Sequence, residues 1–354
     1  MRTESLITPR MTIAGARMPA EWEPHRATWL AWPHDAEFWG AAFEAAKSEL
    51  TALCRALAEG DALEMLVRDA AARDEAAKRL EGIDVRFHEI EFDDIWMRDI
   101  APVFVRSDAG LTGVRLRFNG WGGKWEHARD SAVAPKVARV AGVSLFEVPL
   151  FLEGGALEFD GEGTCLTTRS CALNVNRNPG RVESDIEEWL DRAFGARKTI
   201  WLDRGFDCDH TDGHIDNLAR FVAPGRVVCM TPAGGDDPNG DVLEEIRDTL
   251  ASARDSRGRP LELVLVPSPG EVTDADGELL SASYMNYCVT NSSILVPVFG
   301  AKNDAAAVDA IASCFPTRRT VGLSARWILA GGGSFHCITQ QEPLLPTAGG
   351  GRAR

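Results

Sequence analysis

The sequence predicts a single α/β domain, on three observations. Short runs rich in Val, Ile, Leu and Phe alternate with helical stretches along the whole chain. The recurring order is two strands, a helix and a strand, punctuated by glycine-rich turns such as Gly122-Gly123, Gly154-Gly155 and Gly234-Gly235. No Pro/Ser-rich linker or block of like charge divides the 354 residues. Length alone argues for roughly two or three domains. The uniform alternation argues for one, over residues 1–346, with internal pseudosymmetry blurred in the sequence. The tail 347–354 (TAGGGRAR) reads as disordered.

Residues 35–59 read as one long amphipathic helix, with Phe38, Phe43, Leu50, Leu53 and Leu57 broadly on one side. Asp35 suits its N-cap and Gly60 its stop. Strands are predicted at 63–68 and 85–90, around a helix at 70–80. Further strands are predicted at 103–106, 114–118, 145–148, 156–159, 165–168, 199–202, 218–222, 227–230, 261–266 and 294–298. Helices are predicted at 129–140, 183–194, 242–252 and 304–313.

Hydrophobic residues make up 45% of the chain and the formal net charge is −15. That charge argues against a nucleic-acid partner, which demands basic stripes. It suits a cationic substrate, which a negative field concentrates, although solubility accounts for most of it. No apolar run approaches the roughly 20 residues that span a bilayer. Residues 1–10 also lack the apolar stretch of a signal peptide. No membrane partner is expected, and the expected location is the cytoplasm. A homo-oligomer is compatible with the chain. Its eight cysteines include no CxxC and read as reduced, mostly buried thiols, of which at most one or two are chemical.

The most informative segment is Gly331-Gly332-Gly333-Ser334-Phe335-His336-Cys337. Glycines allow close backbone approach, and a reactive thiol needs such room. A buried cysteine beside a flexible turn explains this segment equally well by itself. Its company gives it weight. In Asp212-Gly213-His214-Ile215-Asp216, His214 and Asp216 stand two apart before an apolar run, so strand alternation aims both at one cavity. Trp96-Met97-Arg98-Asp99 sets a carboxylate beside an aromatic ring, a surface that suits a flat delocalised cation. Trp121 and Trp125 extend that wall. Glu153-Gly154-Gly155 suggests tight backbone next to a buried charge. Each motif alone also reads as a polar turn. A competing metal reading uses the alternating Cys208, His210, Asp212, His214 and Asp216, but no HExxH or paired CxxC supports it.

Taken in order, WMRD, FNGWGGKW, LEGG with DGEGT, TDGHIDNLARFV, SYMNYCVTNSSILVPVFG and GGGSFHCITQQEP resemble the motifs of agmatine deiminases. These lie in the bacterial peptidylarginine-deiminase-like branch of the guanidine-modifying superfamily. The N-terminal MPAEW and WLAWP resemble it too, so the likeness runs over residues 18–343. It implies a pentein-type α/β propeller of five ββαβ units around a central active site. It also implies that Cys337 is the nucleophile and His214 the general acid and base. Asp99 and Asp216 would grip the guanidinium, Glu153 would support the histidine, and Trp96, with Trp121, would neighbour the substrate. One departure is Ser334-Phe335, where the family motif often reads Asn-Ile.

The implied reaction turns agmatine into N-carbamoylputrescine, an intermediate toward putrescine, and ammonia through a covalent amidino-cysteine. It calls for no metal or organic cofactor. Cys337 needs help to ionise, from the substrate cation, from protonated His214 or from glycine backbone N–H groups. Glu23 or Asp93-Asp94 are candidates for the distal ammonium. The alternatives are a protein-arginine deiminase, an amidinotransferase, a metal-dependent hydrolase and a polyamine-binding module.

Overall fold

Every predicted strand is present in the computed structural model, which describes residues 11–125 and 128–346. The tail 347–354 and residues 1–10 lie outside the described residues. The strands, numbered in chain order, are β1 (His25–Ala31), β2 (Ala62–Val67), β3 (Val85–Glu89), β4 (Val103–Ser107), β5 (Gly110–Arg117), β6 (Ser144–Phe151), β7 (Glu158–Phe159) and β8 (Thr164–Thr168). They continue as β9 (Lys198–Leu202), β10 (Ala219–Ala223), β11 (Arg226–Thr231), β12 (Glu262–Pro267), β13 (Cys288–Val289), β14 (Ser293–Val298), β15 (Arg319–Ser324) and β16 (Gln340–Pro343).

These strands form five sheets, ordered β16-β1-β2-β3, β4-β5-β6, β7-β8-β9, β10-β11-β12 and β13-β14-β15. One pairing scheme recurs. β4 runs antiparallel to β5, and β5 parallel to β6; the other three-stranded sheets repeat this. In the four-stranded sheet the last strand, β16, is antiparallel to the first, β1, and β1 is parallel to β2. A parallel neighbour needs a long crossover. Helices Phe43–Leu57, Val133–Ala141, Glu183–Phe194, Gly240–Ser252 and Asp304–Ala312 supply one for each sheet. The fold is therefore mixed α/β. Among the described residues no helix is long and apolar enough to cross a membrane.

Two expectations about the first long helix need correction. Asp35 does cap it, accepting from the backbone N–H groups of Glu37 and Phe38 at 3.0 Å each. The helix breaks at Gly40, whose φ of 49° lies outside helical space, and resumes at Phe43–Leu57. It ends before Gly60, where a Cβ would meet Ser292 Oγ at 2.4 Å, so that glycine answers to packing. Strands β1, β13, β15 and β16 were not among the predicted strands. In β16 three of the four side chains, Gln340, Gln341 and Glu342, are polar yet buried. Glu342 accepts from Trp29 Nε1 at 2.9 Å and pairs with Arg26. A strand that satisfies polar groups internally carries no apolar alternation to read.

This closing pair predicts a stability effect. Trp29 is fully buried in β1 and bonds to β16. Trp29→Ala is expected to cost about 3–5 kcal/mol, read as a lower urea midpoint at unchanged slope.

Candidate active site

Cys337 lies on the segment between the short helix Arg326–Leu329 and β16. The glycines ahead of it are required by contact. A Cβ on Gly331 would sit 2.5 Å from the Trp39 ring, and one on Gly333 would sit 2.6 Å from Trp96 and 3.1 Å from Cys337 Cβ. The segment therefore lies flat on two tryptophans that stack at 6.2 Å between ring centres. Asn286 pins it from the other side. Its Oδ1 accepts from the backbone N–H of His336 at 3.0 Å and of Cys337 at 3.3 Å, and its Nδ2 donates to Cys337 Sγ at 3.1 Å. In the Ser334-Phe335 departure, Phe335 is fully buried and Ser334 Oγ is a buried hydroxyl without a partner among the described residues.

His214 and Asp216 do face one place, for a different reason than predicted. Ile215–Asn217 is a 3-10 turn and β10 begins only at Ala219, so strand alternation does not aim them. Gly155 is what lets them converge with Asp99. A Cβ there would lie 2.6 Å from His214 Nδ1, 3.0 Å from Asp99 Oδ1 and 3.1 Å from Asp216 Oδ2. Gly154 passes equally close to the Arg98 carbonyl, at 2.2 Å from a Cβ position. The glycine pair after Glu153 is a 3-10 turn threaded between side chains, not a hairpin.

Each site residue is held by named partners. Glu153 Oε2 accepts from His214 Nε2 at 3.2 Å and from Arg177 Nε at 3.0 Å, with the Cys171 thiol at 3.9 Å. Asp99 accepts from Trp121 Nε1 at 2.9 Å and from the Gly155 N–H at 3.0 Å, and lies 3.9 Å from His214 Nδ1. Trp121 thus anchors a carboxylate as well as forming a wall. Trp96 donates its Nε1 to Asp94 at 2.7 Å. Asp216 Oδ2 meets His336 Nδ1 at 2.7 Å and Cys337 Sγ at 3.6 Å. Among the described residues, Asp216 Oδ1 and His214 Nδ1 are buried with no hydrogen-bond partner.

Burial sets the protonation states, and the neighbours adjust them. Burial, then the carboxylates of Asp216 and Asp99, hold the Cys337 thiol well above its ordinary pKa. Asp216 is pushed up to about 7 by burial, with Asp99 adding to the rise and His214 opposing it. Burial also raises Asp99. Burial works against a charged His214, yet Asp99, Cys171 and Glu153 together hold its imidazole well above the usual range. Glu153 ends low despite its burial, because Arg177 and His214 stand against it. The free site therefore holds a thiol, an imidazolium and carboxyl groups short of positive charge.

A cavity of about 330 Å³ opens onto this cluster, with Cys337, Asp99, Trp96 and Trp121 in its wall and His214, Asp216 and Glu153 behind it. Asp93 and Asp94 also line it. Asp93 pairs with Arg129 at 2.8 Å, and Asp94 is pushed up to about 7 by burial. Glu23 is elsewhere, paired with Arg17 and Arg106, so it drops out as a contact for a distal ammonium.

The predicted ladder from Cys208 to Asp216 is not gathered. Asp212 pairs with Lys124 and Arg177, Asp216 with His336, and His210 packs its ring on Trp125. Among the described residues, potential ligands converge as Glu153, Cys171 and His214, and as Glu21, Glu158 and His336.

Four residues close to the chemistry escaped the sequence analysis as site residues: Asn286, Arg177, Cys171 and His336. Asn286 sits inside SYMNYCVTNSS and His336 inside GGGSFHC, so their motifs were visible while their roles were not. Arg177 and Cys171 stand outside the quoted motifs and reach the site only through the fold.

Residues 17–343 match the family model of Porphyromonas-type peptidyl-arginine deiminase. The agmatine deiminase of Ectopseudomonas mendocina is 37% identical, over 96% of this chain and 98% of its own. That of Pseudomonas aeruginosa is 36% identical, over 95% and 97%. A solved structure of the Enterococcus faecalis agmatine deiminase superposes with a TM-score of 0.88 at 30% identity, covering 93% of this chain and 96% of that one.

The crowding at Gly155 is testable. Gly155→Ala is expected to cost about 1–3 kcal/mol in thermal or urea unfolding, because nothing around it yields without moving a buried charge. Gly235→Ala, with nothing within 4 Å of its Cβ position, is expected to stay within about 0.5 kcal/mol of the parent.

Proposed function

The chain belongs to the Porphyromonas-type peptidyl-arginine deiminase family, and from that premise we propose that it hydrolyses the guanidinium of agmatine to N-carbamoylputrescine and ammonia. The observation that carries this is the buried carboxylate cluster of Asp99 and Asp216 beside Cys337 and His214, in which the acceptor Asp216 Oδ1 has no partner among the described residues. A guanidinium is flat, cationic and rich in N–H donors, which matches that cluster in charge and in hydrogen-bonding sense. The agmatine deiminase relatives support agmatine as the guanidinium compound. We further propose that the five sheets are the five ββαβ blades of a pentein-type propeller, with β16 closing the ring on β1. The recurring pairing scheme supports this.

In the proposed mechanism Asp99 and Asp216 grip the guanidinium and turn its carbon toward Cys337. The bound cation reverses the local field that holds the thiol proton on, so the thiolate forms and its proton passes to solvent, since His214 is already charged. Attack gives a tetrahedral adduct. His214, charged in the free site, gives its proton to the departing amine, and ammonia leaves an amidino-thioether on Cys337. The now neutral His214 takes a proton from water as that water attacks, and collapse returns the thiol and releases the ureido product. Glu153, fixed by Arg177, orients the imidazole and favours its charged form. Asp94, which lines the same cavity, is the carboxyl offered to the distal ammonium, whose charge would favour its ionised form.

The experiment is ammonia and ureido-product release from agmatine, arginine and a blocked arginyl peptide. Turnover of agmatine, abolished in Cys337→Ala at unchanged fold, is the expected result. Turnover of the peptide alone would move the reading to protein modification, and full activity in Cys337→Ala would remove the covalent step.

A pH dependence follows from Asp216, whose carboxyl titrates near 7 in the free site. Below that pH it carries a proton and offers the guanidinium no charge; above it the anion is ready. Agmatine binding to Cys337→Ala, measured by calorimetry, is expected to tighten as pH rises through about 7. Flat affinity across that range would contradict the grip assigned to Asp216.

A further inference from the structure

We propose that Glu153, Cys171 and His214 form a binding site for zinc(II), and that zinc there switches the enzyme off by taking His214 out of proton transfer. Cys171 has no place in the reaction described above, yet its fully buried thiol points at the carboxylate that orients His214.

The geometry is close to a metal site already. Around Glu153 Oε2 the distances are 3.2 Å to His214 Nε2 and 3.9 Å to Cys171 Sγ, and all three ligand atoms lie within 4.8 Å of one another. Zinc bonds of about 2.0–2.2 Å to nitrogen and oxygen and about 2.3 Å to sulfur make tetrahedral edges of about 3.4 Å (N to O) and about 3.6 Å (S to O). Both measured edges are within a few tenths of an ångström of those lengths. Cys, His and Glu are each zinc ligands, and three protein ligands with a fourth position for water is the pattern of open zinc sites.

The charge also balances. At present two protons, on His214 Nε2 and on Cys171 Sγ, are both donated to Glu153 Oε2. One zinc ion replaces them: two protons leave, a dication enters, and the net charge beside Arg177 is unchanged. The second convergent group, Glu21, Glu158 and His336, has no such exchange to offer. It contains no thiol, so it lacks the second proton that an incoming dication would replace. The zinc ligands are buried, so the ion enters by local opening of the site.

The inhibitory half of the proposal rests on the reading of His214 as acid and base; the binding half does not. The test is therefore double. Metal-free protein is titrated with cobalt(II), following the thiolate-to-metal charge-transfer band, and with zinc(II) during agmatine turnover. One metal per chain is expected, with the band present in the wild type and in Cys337→Ser and lost in Cys171→Ser. Zinc should stop ammonia release, and a chelator should restore it. A band lost in Cys337→Ser and kept in Cys171→Ser would put the metal on the nucleophile and overturn the proposal, as would no uptake of either metal. Where Cys171→Ser does not fold, anomalous scattering from zinc-soaked wild-type crystals decides. An ion bonded to Cys171 Sγ supports the site, and an ion elsewhere or none overturns it. Metal uptake with the expected band, in a protein that turns over no guanidine, would uphold the site and sink the deiminase reading.

Discussion

Burying five carboxylates around one thiol is the constraint on which the rest of the structure depends. Glu21, Asp99, Glu153, Glu158 and Asp216 all lie out of water, and an uncompensated buried charge is too costly to keep. The fold brings arginines from three different segments to meet them. Arg177 takes Glu153, Arg220 takes Glu158 and Glu21, and Arg98 takes Glu21 as well. Neither Asp99 nor Asp216 has an arginine partner among the described residues; their only basic contacts are the imidazoles of His214 and His336. Compensation is complete one layer out and deficient at the centre. In the proposed reaction a bound guanidinium would supply the missing charge where the arginines stop.

The same arginines build the site mechanically. Arg98 sits between Trp96 and Asp99 in sequence, and its side chain reaches the His336 carbonyl at 3.4 Å and Gln341 at 2.7 Å. Its backbone N–H donates to the Cys337 carbonyl at 3.0 Å. One residue thus carries a cation for Glu21, a brace for the Cys337 segment and a backbone link to it. Removing it would unpair Glu21 and loosen the thiol together, so its electrostatic and positioning roles cannot be separated by one substitution.

How much of this was legible in the sequence depended on whether the signal was local. The strands alternate or run apolar, and the helices have caps and faces, so the elements could be read from short windows. Cys337, His214 and the carboxylates Asp99, Glu153 and Asp216 stood beside glycines or aromatic residues, and their motifs singled them out. Their convergence was not local. Asp99, Glu153, Asp216 and Cys337 come from four segments, and what allows them to meet is the missing side chain of Gly155. A glycine at ordinary φ, kept for the space its Cβ would fill, looks in sequence like any turn glycine. Arg177 shows the same limit: nothing about its neighbours signals that it is fully buried against Glu153.

His336 carries the electrostatic argument one step further. Its Nδ1 faces Asp216 Oδ2 at 2.7 Å and its Nε2 faces Glu21 Oε1 at 3.0 Å. Burial, together with the positive charges of Arg220, Arg98 and His214, holds its pKa well below the ordinary value. A neutral imidazole has a single N–H, so it can donate to one of those two carboxylates and must accept from the other. Glu21 pairs with Arg98 and Arg220 and stays an anion, which makes it the acceptor. The proton in the other contact therefore belongs to Asp216, in keeping with a carboxyl that titrates near 7. A guanidinium arriving at Asp216 has to displace that proton. The acids and bases that face it are His336, His214, Asp99 and the Cys337 thiol, of which His336 and the thiol are already in hydrogen-bond contact. His336 is a poor acceptor for that proton, because the positive charges that hold its pKa down would be joined by the substrate's own, so under the proposed binding mode the proton leaves the cluster as the guanidinium docks, which is why binding is expected to strengthen as pH rises.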